Sequence, residues 1–277
     1  MKNAMVFKAI KNMMFTLSLL LPFQFGTGMT RVDKIDEATS MNRHVILLDL
    51  NSEYCDIACF LAQNAETVSF LSKTFAIDSK DVVDDLVSRN ANVNYDIYNI
   101  GRLTDKNGNY LEYDSFEKGF IEYLYVFARE NPNLVDNHRV PYNGNADYII
   151  DLISYFTSIY DNVDYLTAVS IGAAESGYYR VTYMLNCNNV FGGMSNSGLI
   201  KYKNIEYGIL SFIRLLSYNY YGRGLDNLYS IGKVYCPTFD ENGNKVASQH
   251  WINLVNKAMN YYKDSHKEVA VSNLINN

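Results

Sequence analysis

Three kinds of motif are missing from this chain, and each absence closes off a class of chemistry. No run of Lys and Arg interleaves with aromatic residues, and the formal net charge is -6 with a pI near 5.3. The electrostatic footprint of a phosphate-backbone partner is therefore lacking. No glycine-rich loop suited to cradling phosphates is present, which argues against a nucleotide. The four His stand at no ligand spacing to the four Cys, so a zinc site has no ordered set of donors. These readings leave no nucleic acid, no metal and no cofactor. Strand signals are scarce as well, which points to a mainly α fold. Tryptophan is reduced to one residue, against 24 Tyr; that polar-aromatic bias occurs on carbohydrate-contacting surfaces, but the drift of an AT-rich genome is the better explanation.

What is present begins with an address. Lys2, Lys8 and Lys11 precede the apolar run "MMFTLSLLLPFQF", about 13 residues, and then "GTG". Basic region, short apolar core and small-residue exit are the order of a secretory signal, with a cut expected before Met29. The core is short for a membrane span, which needs ~20 apolar residues; retention as an uncleaved anchor is the alternative. The expected organisation is residues 1–28 as signal, 29–139 as a smaller, mostly helical region of unknown role, and 140–277 as the functional domain. Membrane contact is expected only through an uncleaved N-terminal segment.

Helical patterns follow. "HVILLDL" reads as a short strand, then residues from Glu53 to about Asn90 turn helical, with Asp78 or Ser79 capping a second helix. The stretch from Asn90 to Tyr113 is rich in Asn and Gly and reads as loops with a turn at Asn107-Gly108. Helices follow in "DSFEKGFIEYLYVFAREN" and from Asn145 onward, where Ile149, Ile150, Ile153, Phe156 and Ile159 share a face. "LEYDSFEKGF" echoes "IKYKNIEYGI"; the echo reads either as a shared helix start, with Glu117 and Glu206 facing the positive helix end, or as a degenerate duplication. Cys55 and Cys59 are four apart on an expected helix, poor disulfide geometry, so buried or free thiols are expected. A Cys187 to Cys236 bridge is the one pairing worth testing.

"NVDYLTAVSIGAAESGYY" predicts a helix capped near Asn162 or Asp164 and stopped at Gly177. Glu175 then sits on the last turn of a largely apolar, small-residue helix. The negative end of the dipole and apolar burial both favour its protonated form. A carboxylic acid that keeps its proton near neutrality is what a general acid for glycosidic cleavage requires.

The order of elements adds to this. A helix ending in "AAESG", then "NNVFGG", "YKNIEYGILSFIRLL", "IGKVYCP" and "HWINLVNKAMNYY" resembles the bacterial glucosaminidases of the lysozyme-like superfamily, which cut cell-wall peptidoglycan. The resemblance runs from Tyr142 to Tyr262. It implies a lysozyme-like helical domain and an exported, cell-wall-associated glycosidase or lytic transglycosylase acting on peptidoglycan glycan strands. Glu175 is by resemblance the catalytic acid, and Tyr235 the tyrosine that faces the scissile sugar. Asn189, Phe191, Gly192 and Gly193 shape the substrate-binding cleft. Trp251 falls where the family places an aromatic; it fits simple core packing as well. The chain departs from the family where a β-lobe with a second acid is usual: only "GMSNSGLI" separates Gly192 from Lys201, so the lobe is reduced or absent. Asp226, Asp240 and Glu241 are the later acids, and none matches a catalytic position. A non-catalytic wall-binding scaffold with the same groove is the alternative reading.

Overall fold

The computed structural model describes residues 57–91 and 96–275. The signal segment, the "HVILLDL" strand and Cys55 lie outside the described residues. The described chain is mainly helical and falls into two compact units.

The first unit comprises the described residues up to Val68 together with Lys80–Phe120. Helix α1 (Ile57–Gln63), the start of α2 (Ala65–Thr74), α3 (Ser79–Arg89) and the start of α4 (Phe116–Glu130) supply its core. Ile57, Leu61, Val82, Leu86 and Ile100 are buried there, and Phe116 meets Phe60 edge-on at 5.0 Å. The Asn-rich stretch is indeed loop, but a pinned one. The buried Asn90 side chain donates to the carbonyls of Leu86 and Ile100, and Asn99 donates to those of Leu103 and Leu111. Asp105 closes the predicted Asn107-Gly108 turn by accepting from the backbone N–H groups of Asn107 and Asn109. Cys59 is disulfide-bonded, which corrects the expectation of a free thiol drawn from helical spacing.

The second unit takes in Ser69–Ser79 and everything described from Ile121 onward. Its helices are α5 (Ala146–Ile159), α6 (Tyr165–Ser176), the short α7 (Thr182–Asn186), α8 (Ile205–Leu215), α9 (Leu228–Tyr235), α10 (Gln249–Tyr262) and α11 (Val271–Ile275). Helix starts were written locally. Asn145, Asp164, Asn204, Asn227 and Ser248 are N-caps whose side chains accept from backbone N–H groups in the first turn, each worth about 1 kcal/mol. Among the described residues the strands are two short antiparallel hairpins: β1 (Met194–Ser195) with β2 (Gly198–Leu199), and β3 (Pro237–Phe239) with β4 (Lys245–Ala247). In the second, Asp240 accepts from the N–H groups of Asn242 and Asn244 and closes a tight turn.

Helix α6 is the central rod. Ala168, Val169, Ser170, Ile171, Gly172 and Ala173 are all buried, the signature of a helix enclosed on every side. It packs along α10 and against α5, while α8 packs on α5. Two carboxylates are consumed in holding this frame. Glu122 on α4 is buried and receives both Arg214 nitrogens of α8, at 2.9 and 2.7 Å, and the hydroxyls of Tyr160 and Tyr218. Glu206, in the first turn of α8, accepts from the Tyr148 hydroxyl at 2.7 Å, in keeping with its reading as a helix-start residue. Lys203 ties Ser69–Ser79 to the same helix start by donating to the Phe75 carbonyl at 2.5 Å beneath the Tyr207 ring.

Candidate active site

Glu175 sits on the last turn of α6, as its sequence position implied. Asp164 caps the start of that helix, and Gly177, at φ 59°, ψ 51°, ends it. The carboxyl group is half-buried. Burial raises its pKa above the ordinary carboxylate value, and a hydrogen bond from Trp251 opposes part of that rise. The Trp251 indole Nε1 donates to Glu175 Oε1 at 2.9 Å. Trp251 itself is 4% exposed, so it packs the core and touches the acid at once.

The other carboxylate oxygen meets glycine. At Gly192, where φ is 68°, a Cβ would stand 2.8 Å from Glu175 Oε2. The backbone conformation disfavours a side chain, and a Cβ there would push the Glu175 carboxyl aside. With Oε1 occupied by an N–H donor, a proton on the carboxyl belongs on Oε2, the oxygen that lies against Gly192.

Tyr235, at the end of α9, is half-buried and donates its hydroxyl hydrogen bond to the Phe191 carbonyl. Burial, and then the charge of Glu175, push its phenol far above the ordinary value, so it stays neutral. Its ring lies 5.3 Å from Trp251 and edge-on to Phe212 at 6.1 Å. Phe191 stacks on Phe212 at 3.8 Å. Glu175, Tyr235, Phe191 and Gly192 therefore share one cluster, with Trp251 and Phe212 as members that sequence reasoning underweighted or missed. A lone Trp opening a helix was the available signal for the first; nothing local marked the second.

Asn189 is 2% exposed, so its side chain faces inward. Its amide donates to the Gly193 and Ile200 carbonyls and accepts from Gly193 N–H, so every polar atom is spent on the turn. Its buried neighbour Asn188 does the same for the incoming chain, donating to Val140 and Tyr202 carbonyls and accepting from Tyr142 N–H. Gly193 is half-buried beside Asn189 and the Tyr202 hydroxyl.

Cys187 and Cys236 are free, so the bridge between them does not form. Cys187 is buried at the end of α7, whereas Cys236 is half-exposed at the end of α9, where Ser248 bonds to it and the charge of Glu175 reaches it. Asp226, Asp240 and Glu241 are exposed, and none contributes to the protonation of Glu175. Among the described residues no group of three His, Cys, Asp or Glu side chains is placed to hold a metal ion. No protein-family profile, curated protein or solved structure matches this chain.

Proposed function

We propose that this protein is an exported, lysozyme-like glycosidase that cuts the β-1,4 linkages of peptidoglycan glycan strands, with Glu175 as its general acid. The observation that carries this reading is the state of the Glu175 carboxyl: half-buried, raised in pKa, fixed through Oε1 by Trp251 and set at Oε2 against a glycine. A proton held on Oε2 is available to a glycosidic oxygen. As it transfers, the bond from the anomeric carbon to that oxygen breaks and positive charge develops on the sugar. Among the described residues no second carboxylate influences Glu175, which favours a nucleophile carried by the substrate. The N-acetyl oxygen closes on the anomeric carbon in substrate-assisted hydrolysis, and the 6-hydroxyl does so in transglycosylation. Water, or that hydroxyl, then returns a proton to Glu175.

Tyr235 acts in this scheme as an acceptor. Its proton is committed to the Phe191 carbonyl, so toward a substrate it offers a lone pair, suited to an acetamido N–H or to developing positive charge. Mass spectrometry of purified peptidoglycan after digestion distinguishes the routes. 1,6-Anhydro ends identify transglycosylation, reducing N-acetylglucosamine or N-acetylmuramic acid ends identify hydrolysis, and undigested but bound glycan identifies a wall-binding scaffold.

A further inference from the structure

Three successive residues just beyond Glu175 and Ser176 adopt left-handed backbone: Gly177 at φ 59°, Tyr178 at 59° and Tyr179 at 62°. A helix that ends on a left-handed cap needs one such residue, and Gly177 supplies it. Two tyrosines in the same region exceed that need, because bulky side chains are rarely found there. Such outliers persist only where their surroundings over-determine them, and they cluster at functional sites.

The surroundings are specific. Tyr178 N–H donates to the Ala173 carbonyl at 2.8 Å, and the N–H groups of Arg180 and Val181 both reach the Ser176 carbonyl. Ser176 Oγ, fully buried, donates to the Gly172 carbonyl at 2.6 Å and accepts from Tyr179 N–H at 3.0 Å. The turn thereby folds Tyr179 back along α6, where its ring is 3% exposed and its hydroxyl donates to the Val169 carbonyl at 2.5 Å. The ring rests on Gly172, and Phe191 rests there too: a Cβ on that glycine would lie 2.9 Å from each. Phe191 leads directly into Gly192, which abuts Glu175 Oε2.

We infer that this left-handed turn sets how deeply Glu175 sits, and that Tyr179 is the positioning residue that locks it. The inference deepens the proposed role of Glu175 as the acid. Release of the lock frees the last turn of α6 and lets the carboxyl reach water. The groups facing Glu175 are few: Tyr235 and Cys236 from the end of α9, Trp251 from α10, and the backbone of Gly192. Burial and the Trp251 hydrogen bond are the two influences on its protonation, so a change in depth should be read out directly as a change in titration.

The test is an NMR pH titration of the full chain labelled with carboxyl-¹³C glutamate, the Glu175 signal being assigned by its loss in Glu175→Gln. In the parent, Glu175 should titrate above the ordinary value of about 4.3. Tyr179→Phe, which removes only the hydroxyl, and Ser176→Ala should each lower that midpoint by roughly half a unit or more, against the ~1 unit spread typical of folded proteins, with cooperative unfolding retained. Should one variant fail to fold, the other carries the comparison. An unchanged midpoint in a folded variant overturns the inference, and so does unfolding of both, since the turn is then a general folding element. A parent that titrates as expected yet leaves peptidoglycan intact removes the glycosidase reading while the positioning role stands.

Discussion

Trp251 Nε1 and Glu175 Oε1 meet at 2.9 Å across 76 residues of chain, and the contact gives the sole tryptophan a task that core packing alone does not require. The bond favours the ionised carboxylate, against the larger opposing effect of burial. Trp251→Phe keeps an apolar wall and deletes the donor. Glu175 should then titrate higher than in the parent, and stability should fall by about 1 kcal/mol, the net worth of a typical hydrogen bond. Carboxyl NMR and thermal unfolding measure the two.

That pairing also marks the boundary of what the sequence makes legible. Asn145 was readable as a helix start, Asp164 as one of two candidates with Asn162, and Gly177 as a helix stop, because capping is settled by a few neighbouring residues. The position of Glu175 on the last turn of α6 followed from those two ends. Its contacts did not follow, since they depend on how α6 and α10 pack. The same holds for Glu122, whose partner Arg214 lies 92 residues away. The β3–β4 hairpin was missed for a local reason: its strands are three residues each, too short to show alternation, and only the Asp240 turn marked it.

Gly192→Ala should strain the turn and disturb the acid together. The added Cβ meets Glu175 Oε2 at 2.8 Å, and the residue must hold φ at 68°. Stability should drop by ~1 kcal/mol or more from the backbone conformation alone, and the carboxyl should be displaced. Thermal unfolding together with a Glu175 titration reports both effects, and a variant with parental values would remove Gly192 from the site.

Glu175→Gln should stabilise the protein in a pH-dependent way. A carboxyl whose pKa is raised on folding opposes folding as pH climbs from the unfolded-chain value through the folded one, and the deficit is fully present above both. The raised pKa of Glu175 therefore predicts a higher Tm for Glu175→Gln at pH 7, with the gain vanishing below about pH 4, near the unfolded-chain value. Tm of both proteins across pH 4 to 8 is the check.

Lys203 carries the opposite signature. Burial lowers its amine to about 8, so above that pH the folded chain has released a proton that the unfolded chain still holds. Stability should rise with pH from about 8 until tyrosines of the unfolded chain ionise near 10. Lys203→Met should flatten that rise, as followed by urea unfolding at successive pH values; an unaltered slope assigns it to another group.

The role of Glu175 is tested most directly by digesting purified peptidoglycan with the parent protein and with Glu175→Gln, and quantifying released fragments by mass spectrometry. The account predicts glycan cleavage by the parent and a loss of ~10²- to 10⁴-fold in the variant, the range for removing a general acid, with the variant still folded. Glu206→Gln, which alters the Tyr148 contact and the charge at the start of α8, should cleave at close to the parental rate. Equal rates for the parent and Glu175→Gln would contradict the account.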